Sequence, residues 1–181
     1  ADNLLMRIGD ITLSIPTILV AILVSTVVRQ MLPDSLRAVG ASAVLIFAIA
    51  LSAWVHYART VRAQAIVEPG KAYVQAAQLI GVPARRIMAN HILPNTLTPI
   101  MVAATLNFGM AILTEATLSF LGIGMPPSQP SLGTLIRIGN QFLFSGSWWI
   151  VLFPVFQLCL LVVTVNLLGD WLRDALNPKL R

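Results

Sequence analysis

Apolar residues run almost without interruption through four stretches of the chain, about Ile8–Leu32, Val39–Val61, Leu93–Leu121 and Trp148–Leu168. Each is long enough to cross a bilayer, whose core of about 30 Å takes roughly 20 mostly apolar residues per helix. The third is longer than that. It is expected to tilt, to bend near Pro99, or to leave the bilayer at one end. No stretch alternates with the period of two that barrel strands require. The pattern predicts an all-α polytopic membrane domain of about four spans.

One break in this pattern is polar and basic, the segment of about 62–92 between the second and third spans. Within it Lys71 to Ile80 is expected to form a short helix. Tyr73, Ala76, Ala77 and Ile80 follow i, i+3, i+4, i+7 and share one face, while Lys71, Gln75 and Gln78 take the polar one. Gly81 suits the left-handed position that ends a helix, and Pro83 the first turn of the next. The result is two short helices joined by a sharp turn. The paired alanines would let a partner's backbone come close, with Tyr73 and Ile80 adding apolar area. An amphipathic helix lying on lipid headgroups, with Arg85 and Arg86 on phosphates, fits the same pattern.

Composition agrees with the membrane reading. The chain is 57% hydrophobic and 10% charged, with mean hydropathy +0.82, against roughly 45–50% and about 25% in soluble domains. With four spans, one side of the membrane carries Arg7, Arg59, Arg62, Lys71, Arg85, Arg86, Arg173, Lys179 and Arg181, nine of the twelve basic residues. Arg29, Arg37 and Arg137 lie opposite. The basic side, with the 62–92 loop and the C-terminal tail, is therefore expected to be cytoplasmic. The net charge of +5 reflects topology and does not argue for nucleic acid. Trp148 and Trp149 open the last span, and Trp171 closes it, where aromatic belts would lie. The chain opens Ala-Asp-Asn, and further spans are expected upstream.

Several motifs together carry a resemblance. Gln75-Ala76-Ala77, then Gly81, then Ile92-Leu93-Pro94 resembles the EAA loop of membrane subunits of binding-protein-dependent ABC importers. Here Gln75 stands where that pattern has glutamate, which removes a charge but keeps length and hydrogen-bonding capacity. Leu118-Ser119-Phe120-Leu121-Gly122-Ile123-Gly124 with Pro126-Pro127 and Pro130-Ser131-Leu132-Gly133 is similar to the dipeptide and oligopeptide branch. So are the opening Met6-Arg7-Ile8-Gly9-Asp10 ahead of Ile15-Pro16 and the tail from Asn166 to Pro178. Leu132 and Asn177 depart from the branch's usual Trp and Asp. Nickel and glutathione importers share these motifs.

The resemblance implies a type I ABC importer transmembrane domain over residues 1–181, with residues 62–92 as its cytoplasmic coupling loop. It implies a second, homologous permease subunit, two cytoplasmic ATPase subunits and an external binding protein, periplasmic or lipid-anchored, that delivers the substrate. ATP would bind those ATPases, and this chain would hold no cofactor. Tyr73, Gln75, Ala76, Ala77, Ile80, Gly81, Arg85 and Arg86 become the candidate ATPase-contacting residues, in a bacterial inner membrane.

Other residues carry less. Glu115 falls within the third span, where an ionisable group marks a functional candidate by default. It is expected to line a pathway, to pair with a polar group on the partner subunit, or to sit hydrated near the outer interface. Asn107 and Gly109 would line the pathway or glue helices together. His56 and His91 stand on different segments and Cys159 is alone, which is a poor metal signal. Asp10 is expected to anchor the cytoplasmic end of the bundle. Asp170, Arg173 and Asp174 would pair along a short cytoplasmic helix that Asn177-Pro178 ends. Pro16, Pro99 and Pro154 would bend their spans. The outer loop, about Gly122–Ser147, would receive a partner or fold into a short interfacial helix.

An enzyme is disfavoured. The chain has no Walker A loop, no HExxH pattern and no Gly-x-Ser-x-Gly elbow. An ion-coupled secondary transporter is the competing class. It would show several mid-membrane charges or an inverted repeat, whereas here Glu115 alone qualifies.

Overall fold

In the structure, a computed structural model, residues 2–126 and 128–175 are described, with the side chains of 34–39 and 98 excepted. Pro127, Asn177, Pro178, Lys179 and Arg181 lie outside the described residues. Among the described residues every regular element is helical. The helices are α1 (Asp2–Ser14), α2 (Thr17–Met31), α3 (Asp34–Val67), α4 (Ala72–Leu79), α5 (Ala84–Ile87), α6 (Leu93–Phe120), α7 (Leu132–Gln141) and α8 (Trp149–Ala175). Three stretches are long and apolar enough to cross a membrane: Gly40–Gly70, Ala84–Phe120 and Trp149–Ala175.

The expected first span is not one helix. α1 and α2 meet at 96°, so Ile8–Leu32 is broken at its middle. Proline disfavours helical backbone at the residue before it and brings no N–H of its own. Ile15 therefore leaves the helix, and the Pro16 carbonyl starts α2 by accepting from the Leu19 and Val20 amides at 2.8 and 3.2 Å. The 15 residues of α2 reach only about 22 Å at 1.5 Å per residue, so α2 is too short to cross alone and the bent pair makes either one broken span or a re-entrant loop. Pro99 and Pro154, by contrast, lie inside continuous helices.

The other boundaries shift outward. α3 is 34 residues long and carries Arg59 and Arg62 within it, so the polar loop starts at Glu68. α8 runs through Gly169 to Ala175 without a break. The separate cytoplasmic helix expected there is the end of the span itself. The pairs expected among Asp170, Arg173 and Asp174 do not form among the described residues. The outer loop does contain a helix, α7, started by a reciprocal cap between Ser131 and Thr134.

Packing is by small residues. α2 lies on α3, α3 on α6, and α6 on α8, with α7 lodged against both α6 and α8. Ala21, Leu45 and Leu118 form the buried centre, with Ile22, Ile49 and Met125 around them. Apolar side chains gain nothing by leaving lipid, so close backbone approach supplies the cohesion between such helices. Gly109 on α6 faces Asn166 on α8, and Gly169 on α8 faces Thr105 on α6. Asp10 joins α1 to α3 through Arg59 at 2.7 Å, and Asp2 adds a pair with Arg62 at 2.8 Å.

Candidate functional site

The loop between α3 and α6 is a small folded unit. Glu68-Pro69-Gly70 makes one tight turn, Lys71 is extended, and α4 begins at Ala72. The expected helix of Lys71–Ile80 is thus present, shorter by one residue at each end. Gly81 adopts φ +80°, the left-handed conformation that suits glycine. The Val82 amide donates to the Ala77 carbonyl and the Gly81 amide to that of Gln78, both at 3.0 Å. This is the Schellman pattern, with Val82 closing its apolar contact. Pro83 caps α5, which passes through a wide turn at Met88–Ile92 into α6.

Two faces of α4 separate differently from the helical wheel. Val74 and Ala77 turn inward and bury themselves with Ile87, flanked by Val82 and Ile92. Ala77 therefore belongs to the loop's own core, while Gln75, Ala76, Arg85 and Arg86 are exposed. Beyond them, Leu79 and Ile80 are 88% and 81% exposed. An apolar tip flanked by glutamines and arginines is what α4 presents.

Tyr73 has a second task that its place on the wheel did not suggest. Its hydroxyl donates to Glu68 Oε2 and accepts from Asn95 Nδ2 at 2.7 Å. Glu68 is 1% exposed, and Lys71 Nζ donates to its Oε1 at 2.5 Å. The hydrogen bond to Glu68 raises the Tyr73 phenol above its ordinary value, and burial adds to this. The same carboxylate raises the Lys71 ammonium. Glu68 and Asn95 were not singled out from the sequence. The i, i+3 spacing of Glu68 and Lys71 was a readable signal; the 22-residue separation of Asn95 from Tyr73 was not.

Asn107 and Glu115 line different clefts. Asn107 borders a space of about 490 Å³ between the start of α2, α3 and α6, beside His56, Ser52 and Thr114. Its Nδ2 donates to the Ala103 carbonyl at 2.8 Å. Glu115 borders an apolar groove of about 460 Å³ with Ile46, Leu132, Leu158 and Leu161. Its Oε1 accepts from Ser119 Oγ at 2.6 Å. His56 and His91 do not come together, and no group of three metal-binding side chains occurs among the described residues.

Three long apolar helices, a sharply bent helix pair and a folded loop with an apolar tip make up a multi-pass membrane domain. Comparison makes the class specific. The chain belongs to the family of binding-protein-dependent transport system inner membrane components, whose model matches residues 1–181. Its fold is that of a type I ABC importer membrane domain. It is 41% identical over 180 residues to a dipeptide transport system permease protein of Alkalihalophilus pseudofirmus, covering 99% of this chain and 56% of that protein. It is 40% identical over 178 residues to the dipeptide transport system permease protein of Escherichia coli K12, covering 98% and 56%. With a di/tripeptide transport system permease protein of Pseudomonas aeruginosa it shares 36% over 181 residues, 100% of this chain and 56% of that one. The chain thus spans little more than half the length of these relatives.

Proposed function

We propose that this chain is the membrane-spanning part of a permease subunit that forms half of an ATP-driven import pathway for di- and oligopeptides. An external binding protein delivers the peptide, a second permease subunit completes the pathway, and two ATPase subunits power it from the cytoplasm. The observation that carries this reading is the α4 tip. Leu79 and Ile80 stand in the open on a loop held rigid by its own core and by the Gly81 turn. A lone exposed apolar pair needs no explanation, but one presented at a capped helix end suits a groove on another protein. The names of the relatives support a peptide substrate. An ion-coupled transporter is not favoured.

In this reading the loop and the C-terminus are cytoplasmic, and closure of the ATPases on ATP pushes α4. The spans then switch between two packings, since packed helices are bistable and do not deform continuously. ATP acts only through its different affinity for the two states. Gln75, Ala76, Ile80, Arg85 and Arg86 supply the contact, while Tyr73, Ala77 and Gly81 shape the loop that presents it. Asn107 and Glu115 face clefts where a pathway would run.

A disulfide crosslink tests this. A cysteine at Ile80, in a Cys159→Ser background, is paired with one in the groove of the candidate ATPase in native membranes. Crosslinking that changes with ATP is expected. If accessible Ile80 cysteine never crosslinks to any ATPase, the docking reading fails and α4 is a headgroup-bound helix. Uptake of labelled dipeptide that competes with neither nickel nor glutathione supports the substrate; uptake of either of those alone overturns it.

A further inference from the structure

A glutamate buried to 1% at the exact joint between a spanning helix and a solvent-facing loop needs a reason. Removing a carboxylate from water is costly unless both oxygens are paired. Here they are: Oε1 with Lys71 and Oε2 with the Tyr73 hydroxyl. The hydroxyl is in turn reached by Asn95 Nδ2, whose other hydrogen goes to the His91 carbonyl at 2.8 Å. An amide nitrogen has two hydrogens and a phenol one hydrogen with acceptor capacity to spare, so these contacts are mutually compatible. A continuous polar chain therefore runs from the end of α3, through the first turn of α4, to the first turn of α6.

The loop also has an apolar core apart from this chain. Val74, Ala77, Ile87, Val82 and Ile92 already hold α4 against α5, and Gly81 and Pro83 set the turn. What the polar chain adds is a fixed angle between α4 and the two spanning helices that flank it. Besides it, α4 follows α3 through Pro69, Gly70 and an extended Lys71, and meets the start of α6 through the wide turn at Met88–Ile92 and the apolar contact of Ile92.

We propose that Glu68, Tyr73 and Asn95 are positioning residues: they clasp α4 to α3 and α6 together, so that a push on the loop moves both helices as one. The proposal rests on α4 being the ATPase contact. Lys71 neutralises the clasp's charge and lies half-exposed at its edge. Charge-assisted hydrogen bonds of this kind are short and directional, which suits a joint that must transmit an angle.

The test uses the complete transporter in proteoliposomes, with peptide imported per ATP hydrolysed as the readout. Tyr73→Phe keeps the ring and removes only the hydroxyl. It is expected to lower that ratio roughly tenfold or more, the scale of one lost charge-assisted hydrogen bond, while ATPase co-purification and the peptide KM stay unchanged. Asn95→Leu is expected to do the same. The double variant is expected to be no worse than either single one, because both cut the same chain. Glu68→Gln, which still offers Tyr73 an acceptor, is expected to retain more coupling than Glu68→Ala.

Wild-type coupling in Tyr73→Phe, with the complex intact, overturns the clasp and leaves the docking reading standing. Additive losses in the double variant also overturn it. Loss of assembly in Tyr73→Phe assigns the hydroxyl to loop folding and rejects the positioning role. Failure of wild-type α4 to meet any ATPase in the crosslinking experiment removes the docking reading itself, and the clasp with it.

Discussion

Gly133 at the start of α7 lies directly on Ala116 of α6: a Cβ built on the glycine would stand 2.7 Å from the alanine's Cα. No real contact of that kind exists, so any side chain at 133 must push α7 off α6. Overpacking of this sort typically costs about 1–3 kcal/mol. Gly133→Ala is expected to lower the unfolding midpoint of the detergent-solubilised protein by several degrees. Gly70→Ala, with nothing within 4 Å of its Cβ position, is the control and should leave it unmoved. Equal midpoints for both variants would show that α7 can shift freely.

Gly81 poses the opposite problem. Its Cβ position is open, so a substitution there meets no neighbour, only backbone strain at φ +80°. Left-handed backbone costs an L-residue about 1–2 kcal/mol, less for asparagine. Gly81→Val should loosen the α4 turn and reduce transport per ATP hydrolysed, and Gly81→Asn should keep most of it. Full coupling in the valine variant would mean that the orientation of α4 does not matter.

These two glycines show what could be read before the structure and what could not. Gly81 declares itself, because a glycine between a helical pattern and a proline has few other uses. The contact at Gly133 depends on where α7 lands, and no local pattern states that. The break at Ile15-Pro16 was visible as a proline, yet its 96° angle goes with where α1 meets α3, Gly9 beside Val55 and Asp10 on Arg59, which no local pattern states. Ala77 was placed by helical periodicity on the outer face; four residues on one side of a wheel span a wide arc, and Ile87 covers one edge of it. Glu68 follows an apolar run in the sequence, and nothing local marks it as a junction. Only the return of the chain at Asn95 makes it one.

The Tyr73 phenol gives a pH signature with a definite sign. Its folded pKa is raised, chiefly by the Glu68 carboxylate. The protonated form is the one the fold favours, so its stabilising contribution is complete below the unfolded phenol value of about 10. It is lost as pH rises through the higher folded value. The chain has two tyrosines, so in a Tyr57→Phe background an ultraviolet titration follows Tyr73 alone. It is expected to ionise above free tyrosine, and Glu68→Gln should bring it back down. A midpoint at or below free tyrosine would contradict the hydrogen bond.

Asp10 and Arg59 are paired at 2.7 Å, but their side chains are 60% and 51% exposed. Exposed pairs contribute about 0.2–1 kcal/mol, and the Asp2–Arg62 pair ties the same two helices. Asp10→Asn should therefore shift the unfolding midpoint by little, and less still in high salt. A drop as large as that of Gly133→Ala would mean that the pair is buried in the assembled protein, against a partner this chain does not supply.

Glu115 and Ser119 make the last case, because the structure assigns them separable tasks. Ser119 is fully buried; its hydroxyl donates to Glu115 and accepts from the Met125 amide at 2.9 Å. That amide lies just past the Gly122 turn, so Ser119 pins the chain leaving α6. Ser119→Ala leaves the part-buried amide without this acceptor, a loss of about 1 kcal/mol, and should destabilise the protein. Glu115→Gln keeps an acceptor for Ser119 and removes only the charge facing the groove. It is expected to assemble and unfold like the wild type, with any defect confined to the rate of import under the proposed function. Failure of Glu115→Gln to assemble would instead make the carboxylate one half of an ion pair with the second permease subunit, and the groove beside it part of that interface.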